Sequence, residues 1–132
     1  LDHDAFFAAP PVRRLTLRLA AQGGILPAAA IARQARAAGV ACIVTSGIDG
    51  ACGTLAAAHL AASLEPGGKD GPGDDGSGTL AHGLATSDWL EDDNGVTPTI
   101  TDGRLQLPTG PGVGFEPLLP MPSSAAPASQ PA

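Results

Sequence analysis

The chain is poor in aromatic side chains and in positive charge. It has no tyrosine, one tryptophan and three phenylalanines in 132 residues, and thirteen acidic residues against seven basic ones give a net charge of −6. Nucleic acids and anionic membrane surfaces are bound through clustered Lys and Arg that neutralise phosphate groups. The composition therefore argues against both as partners of this protein.

Lysine, cysteine and long apolar segments are also scarce. Lys69 is the single lysine, and the two cysteines, Cys42 and Cys52, lack the Cys-x-x-Cys spacing of a zinc site, so we expect reduced thiols. No apolar run approaches the roughly 18 residues that span a bilayer. The first residues carry no basic stretch typical of a signal peptide, and we expect a cytoplasmic protein.

Segments typical of strands alternate with segments typical of helices over the first two thirds of the chain. Residues 15–19, 40–45 and 80–85 are rich in strand-forming or apolar residues. Apolar residues spaced three and four apart predict one helix from Pro27 to Gly39 and a second over 51–64. This alternation predicts right-handed βαβ units and a parallel sheet.

The remaining segments have a different character. Residues 67–78 contain six glycines and three aspartates, which predicts a flexible loop. We expect Trp89 to pack the acidic stretch 91–93 onto the sheet. Two short alternating segments, 97–100 and 104–107, predict a hairpin, and the Pro, Ala and Ser residues from 117 to 132 predict a disordered tail.

Small and hydroxyl-bearing residues follow the second and third predicted strands, in Val-Thr-Ser-Gly-Ile-Asp-Gly at 44–50 and His-Gly-Leu-Ala-Thr at 82–86. Exposed backbone N–H groups gather at the carboxyl ends of parallel strands, where they bind anionic substrates. An ordinary polar turn is the alternative, and for Asp49 we favour capping of the helix that begins at 50 or 51. The candidate substrate-binding residues are Thr45, Ser46, Gly47, Asp49, Gly83 and Thr86.

The order of these motifs resembles the C-terminal part of enolase-superfamily enzymes, in the muconate-lactonizing-enzyme branch and within it o-succinylbenzoate synthase. Residues 18–24, Arg-Leu-Ala-Ala-Gln-Gly-Gly, are similar to the family's strand-six motif, with Arg18 in place of a lysine. Residues 45–53 and His59-Leu60-Ala61 resemble the strand-seven motif and its helix, with glycine at two serine positions. Residues 82–86 and 102–114 resemble the strand-eight motif and the family's glycine- and proline-rich ending.

The resemblance implies an α/β fold that is a partial (β/α) barrel, namely the last three strands and two helices of a TIM-like barrel with a C-terminal capping strap. Four parts follow from it. Residues 1–14 are a remnant of the preceding barrel segment, and 15–90 form the partial barrel with its loop at 67–78. Residues 91–116 form the cap, and 117–132 form the tail.

The activity implied by the resemblance is a magnesium-dependent lyase that dehydrates a cyclohexadiene carboxylate through an enediolate in menaquinone biosynthesis. Its substrate is a small-molecule carboxylate, its metal is held by three acidic residues, and two lysines act as acid and base. Arg18 is the candidate catalytic residue of this chain. Because a guanidinium stays protonated, it would stabilise a developing negative charge rather than accept a proton.

The family's metal ligands correspond to strands upstream of residue 15, and Asp2 matches the last of them only loosely. We therefore expect this chain to bind no magnesium and to be inactive alone. A missing N-terminal half or a partner chain would be needed for stability, because three strands leave the sheet edges bare. The alternatives are another superfamily activity, dipeptide epimerase or muconate cycloisomerase, or a non-catalytic half-barrel fragment.

Overall fold

The computed structural model describes residues 2–64, 81–93 and 95–118. Strands and helices alternate up to residue 64, as predicted, and a short hairpin lies in the last described part, 95–118. The loop predicted at 67–78 and nearly all of the predicted tail lie outside the described residues. The elements are α1 (His3–Ala8), β1 (Arg14–Leu17), α2 (Leu19–Gln22), α3 (Ile25–Ala37), β2 (Ala41–Val44), α4 (Ala51–Leu64), a 3-10 helix (Ser87–Trp89), β3 (Ile100–Thr101) and β4 (Arg104–Leu105).

The parallel sheet predicted from the sequence is confirmed. Strands β1 and β2 pair in parallel, from Arg14 opposite Ala41 to Leu17 opposite Val44. One residue further along, Thr45 forms a parallel bridge with Gly83. Three successive segments of the chain therefore lie side by side in one direction, which makes this a small α/β fragment with the arrangement of a partial barrel.

The third strand is much shorter than the predicted 80–85 and is reduced to the single bridge at Gly83. The Gly83 N–H donates to the Val44 carbonyl and the Ser46 N–H donates to the Gly83 carbonyl, each at 2.9 Å. In a regular parallel ladder the Val44 N–H would then bond to the carbonyl of Ala81. It donates instead to Nδ1 of His82 at 3.0 Å, and this side chain ends the ladder.

The two predicted helices are confirmed as α3 and α4. Helix α3 begins at Ile25, two residues before Pro27. The proline is tolerated in the first turn of the helix because the N–H that it lacks would have no partner there anyway. Its buried residues are the predicted stripe Ala28, Ile31, Ala32 and Ala35. Helix α4 has the predicted bounds and buries small residues on several sides.

The helices cover one face of the parallel sheet, and the core lies between them. Leu17 and Val44 point into it and are 1% and 0% exposed. Leu105 and Leu107, from the C-terminal hairpin region, pack against the part of this core that contains Val44. The hairpin prediction is thus confirmed, although its strands are only two residues each, joined by Asp102 and Gly103 with positive φ angles of 50° and 73°.

Helix α1 was not predicted from the sequence. Asp2 begins it, because its carboxylate accepts the Ala5 N–H at 3.1 Å. Gln34 Nε2 of α3 donates to Asp4 at 3.2 Å, and Phe7 packs against the part of the core around Leu17. The loose match of Asp2 to a metal ligand therefore corresponds to a helix cap. Within the described part of the chain, no helix is long and apolar enough to cross a membrane.

Candidate functional site

Arg18, Thr45 and Gly83 form a row across the three parallel segments. Arg18 follows the pair Leu17–Val44 by one residue, which places it beside Thr45, and Thr45 is bridged to Gly83. Side chains alternate between the faces of a strand, so this row lies on the face opposite Leu17 and Val44. Arg18 is exposed and Thr45 is half-buried. The row lies at the carboxyl ends of the strands, where barrel enzymes have their active sites.

The backbone at Arg18 is fixed although its side chain is exposed. Its carbonyl accepts the N–H groups of Ala21 and Gln22 at 3.1 and 3.2 Å, which starts the short helix α2 directly after β1. The guanidinium is the single charged group of the row. It can attract and orient a carboxylate, but it cannot act as a base near neutral pH.

A cluster of hydroxyl groups ties the loop after β2 to the segment after Gly83. Ser46 is 3% exposed, and its Oγ lies 2.9 Å from Thr86 Oγ1. The Thr86 hydroxyl also donates to the Gly47 carbonyl. The Thr45 hydroxyl donates to the Gly83 carbonyl at 3.1 Å. Thr45, Ser46, Gly47 and Thr86 are therefore brought together with Gly83. The hydroxyl groups of the Ser and the two Thr residues hold the two loops against each other.

Asp49 lies in the same loop, but its side chain does not cap α4, contrary to the prediction from the sequence. Its carboxylate turns back and accepts the Gly47 N–H at 2.8 Å. The N–H of Ala51, the first residue of α4, donates to Asp93 Oδ2 at 2.7 Å instead. The capping interpretation of Asp49 is wrong because Asp93, 42 residues further along, occupies the end of the helix.

Sequence reasoning missed the roles of Asp93 and His82. Asp93 is the last of three acidic residues, and nothing in its local sequence separates it from a solvated loop. His82 directly precedes Gly83, the residue of the bridge, and that position was the one available signal. Their bonds to Ala51 and Val44 fix both ends of the segment that carries Gly83 and Thr86.

The packing role predicted for Trp89 is wrong. Trp89 is 73% exposed, and Ile48, in the loop after β2, is 63% exposed. Trp89 belongs to the 3-10 helix that follows Thr86, and its N–H donates to the Thr86 carbonyl at 3.2 Å. The short helix turns the ring outward, away from the sheet it was expected to cover.

No metal-ion site is apparent in residues 2–64, 81–93 and 95–118, since no three His, Cys, Asp or Glu side chains there lie close enough together to hold one. His59 lies midway along α4 and is half-buried. Its Nε2 lies 3.3 Å from the carbonyl of Val113, a residue of the predicted C-terminal strap (91–116). The row and the loops place the permanently charged Arg18 beside a hydrogen-bonded turn, an arrangement that can attract an anion.

The fold is that of a segment of a (β/α) barrel with polar residues at the carboxyl ends of its strands. Residues 2–119 match the model of a family described as enolase C-terminal domain-like. The chain belongs to this family. It matches no curated protein sequence.

Three solved structures of enolase-superfamily enzymes have a similar fold. The L-Ala-D/L-Glu epimerase of Bacillus subtilis is 25% identical, with a TM-score of 0.68 over 86% of this chain and 28% of that one. The N-succinyl Arg/Lys racemase of Bacillus cereus is 22% identical, with a TM-score of 0.69 over 88% of this chain and 28% of that one. The muconate lactonizing enzyme of Pseudomonas putida is 24% identical, with a TM-score of 0.70 over 88% of this chain and 30% of that one. This chain therefore spans less than a third of the length of these enzymes.

Proposed function

We propose that this chain is the C-terminal part of a lyase similar to o-succinylbenzoate synthase, and that it contributes the cationic side of the site for a substrate carboxylate. Membership of the enolase C-terminal domain-like family supports the scaffold. The observation that carries the proposal is the row of Arg18, Thr45 and Gly83 at the carboxyl ends of three parallel segments. The motif order that resembles this enzyme spans the same segments.

The chemistry would use Arg18 as a fixed cation. Dehydration removes a proton from the carbon next to a carboxylate and then breaks a carbon–oxygen bond, so that water leaves. Negative charge builds up on the carboxylate oxygens as the proton departs. A guanidinium at the end of β1 stabilises that charge, while the base that accepts the proton comes from outside this row.

Members of the enolase superfamily typically use magnesium. The residues described in this chain do not fit such an ion, because they bring no three possible ligands together. We therefore assign none of the chain's residues to a metal. In our proposal the metal ligands, the proton acceptor and the remaining strands belong to an N-terminal half or a partner chain.

The solved neighbours favour a second candidate, because one of them is an epimerase at 25% identity. A dipeptide epimerase or a muconate cycloisomerase would use the same scaffold. Arg18 argues against epimerisation, since moving a proton between two faces of a carbon requires a proton-accepting group on each face. A non-catalytic half-barrel is the remaining alternative.

Binding of the product tests the proposal on the 132-residue chain itself. Titration with o-succinylbenzoate, followed by NMR, should shift the amide signals of Thr45 and Gly83. Replacing Arg18 by Ala should weaken binding about tenfold, the effect of losing a bond to a charged group. Arg33→Ala, an exposed arginine on α3, is the matched control and should bind as the wild type does.

Two results would decide against this function. Shifts confined to other parts of the chain, or equal binding by the Arg18 and Arg33 variants, would remove Arg18 from the site. Stronger binding of an L-Ala-Glu dipeptide than of o-succinylbenzoate would favour the epimerase alternative. We also expect no turnover of a cyclohexadiene carboxylate by the isolated chain.

A further inference from the structure

We propose that His82 is a positioning residue of the candidate site, and that its imidazole must be neutral to hold the segment carrying Gly83 and Thr86 against β2. The inference concerns the site of the proposed function. It depends on a hydrogen bond that no ordinary strand would make, between the backbone N–H of Val44 and the side chain of His82.

The Val44 N–H needs the acceptor that His82 supplies. Val44 is 0% exposed, so water is not at hand to replace a lost partner. Its N–H lies 3.0 Å from His82 Nδ1, and its carbonyl accepts the Gly83 N–H at 2.9 Å. A buried N–H without an acceptor is costly. The His82 bond and the bridge at Gly83 therefore both attach the beginning of this segment to the sheet.

The bond defines the protonation state of the ring. Nδ1 can accept a hydrogen bond only when it carries no proton, so the proton of the neutral ring lies on Nε2. An imidazolium has N–H groups at both nitrogens and would face the Val44 N–H as a second donor. Because histidine changes charge between about pH 5 and 8, this attachment is sensitive to mild acid.

Other ionisable groups lie on the segments near this bond. Asp49 and Asp93 are already bonded to the N–H groups of Gly47 and Ala51, and His59 contacts the strap through Val113. Among the described residues, the ionisable groups on the elements paired with or packed on β2 and in the adjoining loops are Arg14 and Arg18 at β1, Arg33 and Arg36 on α3, Cys42 on β2 itself, Asp49 and Asp93 in the loops, and Cys52 and His59 on α4.

Loss of the His82 bond would affect the site before it affects the rest of the fold. Gly83 is one residue away and is held to Val44 and Ser46, while Thr86 is held to Ser46 and Gly47. Helix α3 and strand β1 make no part of these bonds. Acid should therefore loosen the segment 82–87 while α3 keeps its structure.

Amide hydrogen exchange measured by NMR on the 132-residue chain tests the inference without any substrate, so it can fail independently of the proposed function. The protection factor of the Val44 amide should fall about tenfold or more between pH 8 and pH 5. That of Ala35 in α3 should stay constant. A constant value at Val44, or an equal fall at Ala35, would overturn the proposal.

Two variants separate the proton from the shape of the side chain. In His82→Asn, the amide oxygen can take the position of Nδ1 and accepts at every pH, so protection of Val44 should remain and lose its pH dependence. His82→Ala should give low protection at both pH values. His59→Asn is the matched control and should keep the wild-type pH profile; if it removes the profile, or His82→Asn retains it, His82 is not responsible.

Discussion

The two faces of the parallel sheet differ in what covers them. On one face, Leu17 and Val44 are buried under α3 and α4 in a core made largely of alanine and leucine. On the other face, Thr16 of β1 and Arg18, which directly follows β1, are exposed. Residues one position apart along β1 thus have opposite surroundings, as the pleat of a strand requires.

The two faces also differ in the chemistry of their side chains. The helix-covered face contains the apolar contacts that hold the fragment together. The open face contains the polar row and the guanidinium of Arg18. In a complete barrel the open face would line the interior. Polar residues at its carboxyl end would then face the place where barrel enzymes bind their substrates.

The strongest way to test this contrast is to shorten one side chain on each face. Leu17→Ala removes a side chain that is 1% exposed and should lower the free energy of unfolding by about 2–5 kcal/mol. Thr16→Ala removes an exposed side chain next to it and should change that free energy by less than about 0.5 kcal/mol. Urea denaturation of the two variants measures both values. Equal losses would mean that both faces are packed.

A second test asks how tightly the open face is built at its carboxyl end. A Cβ added at Gly83 would lie 2.9 Å from Thr45 Oγ1, closer than such atoms normally approach. Gly83→Ala should therefore cost about 1–2 kcal/mol of unfolding free energy. Removing the obstructing hydroxyl with Thr45→Ala in the same chain should recover part of that loss.

The Thr45→Ala variant alone provides the control for this pair. If the crowding is real, the double variant is more stable than the sum of the two single losses predicts, by about 0.5 kcal/mol or more. Strict additivity in urea denaturation would show that Gly83 and Thr45 do not press on each other. The row would then be looser than the bridge between them indicates.

The sequence was sufficient for the elements whose signals are local. The apolar stripe of α3 and the uninterrupted helical stretch of α4 predicted both helices, and the apolar run at 40–45 predicted a parallel strand, β2, of which only Val44 is fully buried. The third strand was overestimated, because the pattern at 80–85 does not reveal that the His82 side chain would take the place of a backbone carbonyl.

The candidate site was predictable in its loops and not in its internal bonds. The residues at 45–47 and 83–86 do come together, as expected for the ends of neighbouring parallel strands. Whether they bind substrate stays a prediction. The capping of α4 by Asp93 joins positions 42 residues apart, a distance over which neither propensity nor periodicity carries information. The packing predicted for Trp89 was wrong for a related reason, because the direction of its side chain depends on a single turn of 3-10 helix.

The smallest effect we expect concerns the two cysteines, of which Cys42 is half-buried and Cys52 is exposed. Cys42 packs on the helix-covered side near Leu17, and burial raises the pKa of its thiol above the ordinary value. A raised pKa means that folding favours the neutral thiol. Its contribution to stability is present below the pH at which the unfolded thiol ionises, and it is lost as the pH rises through the titration of the folded thiol.

Alkylation with iodoacetamide, followed by mass spectrometry, measures this difference. At pH 8 the exposed Cys52 should react faster than Cys42. The ratio of the Cys52 rate to the Cys42 rate should fall as the pH is raised, because a larger fraction of Cys42 is then thiolate. Cys52→Ser and Cys42→Ala report each thiol separately. Equal rates at pH 8 would mean that Cys42 is not shielded, and the helix-covered face would then be less closed at β2 than the burial of Val44 beside it implies.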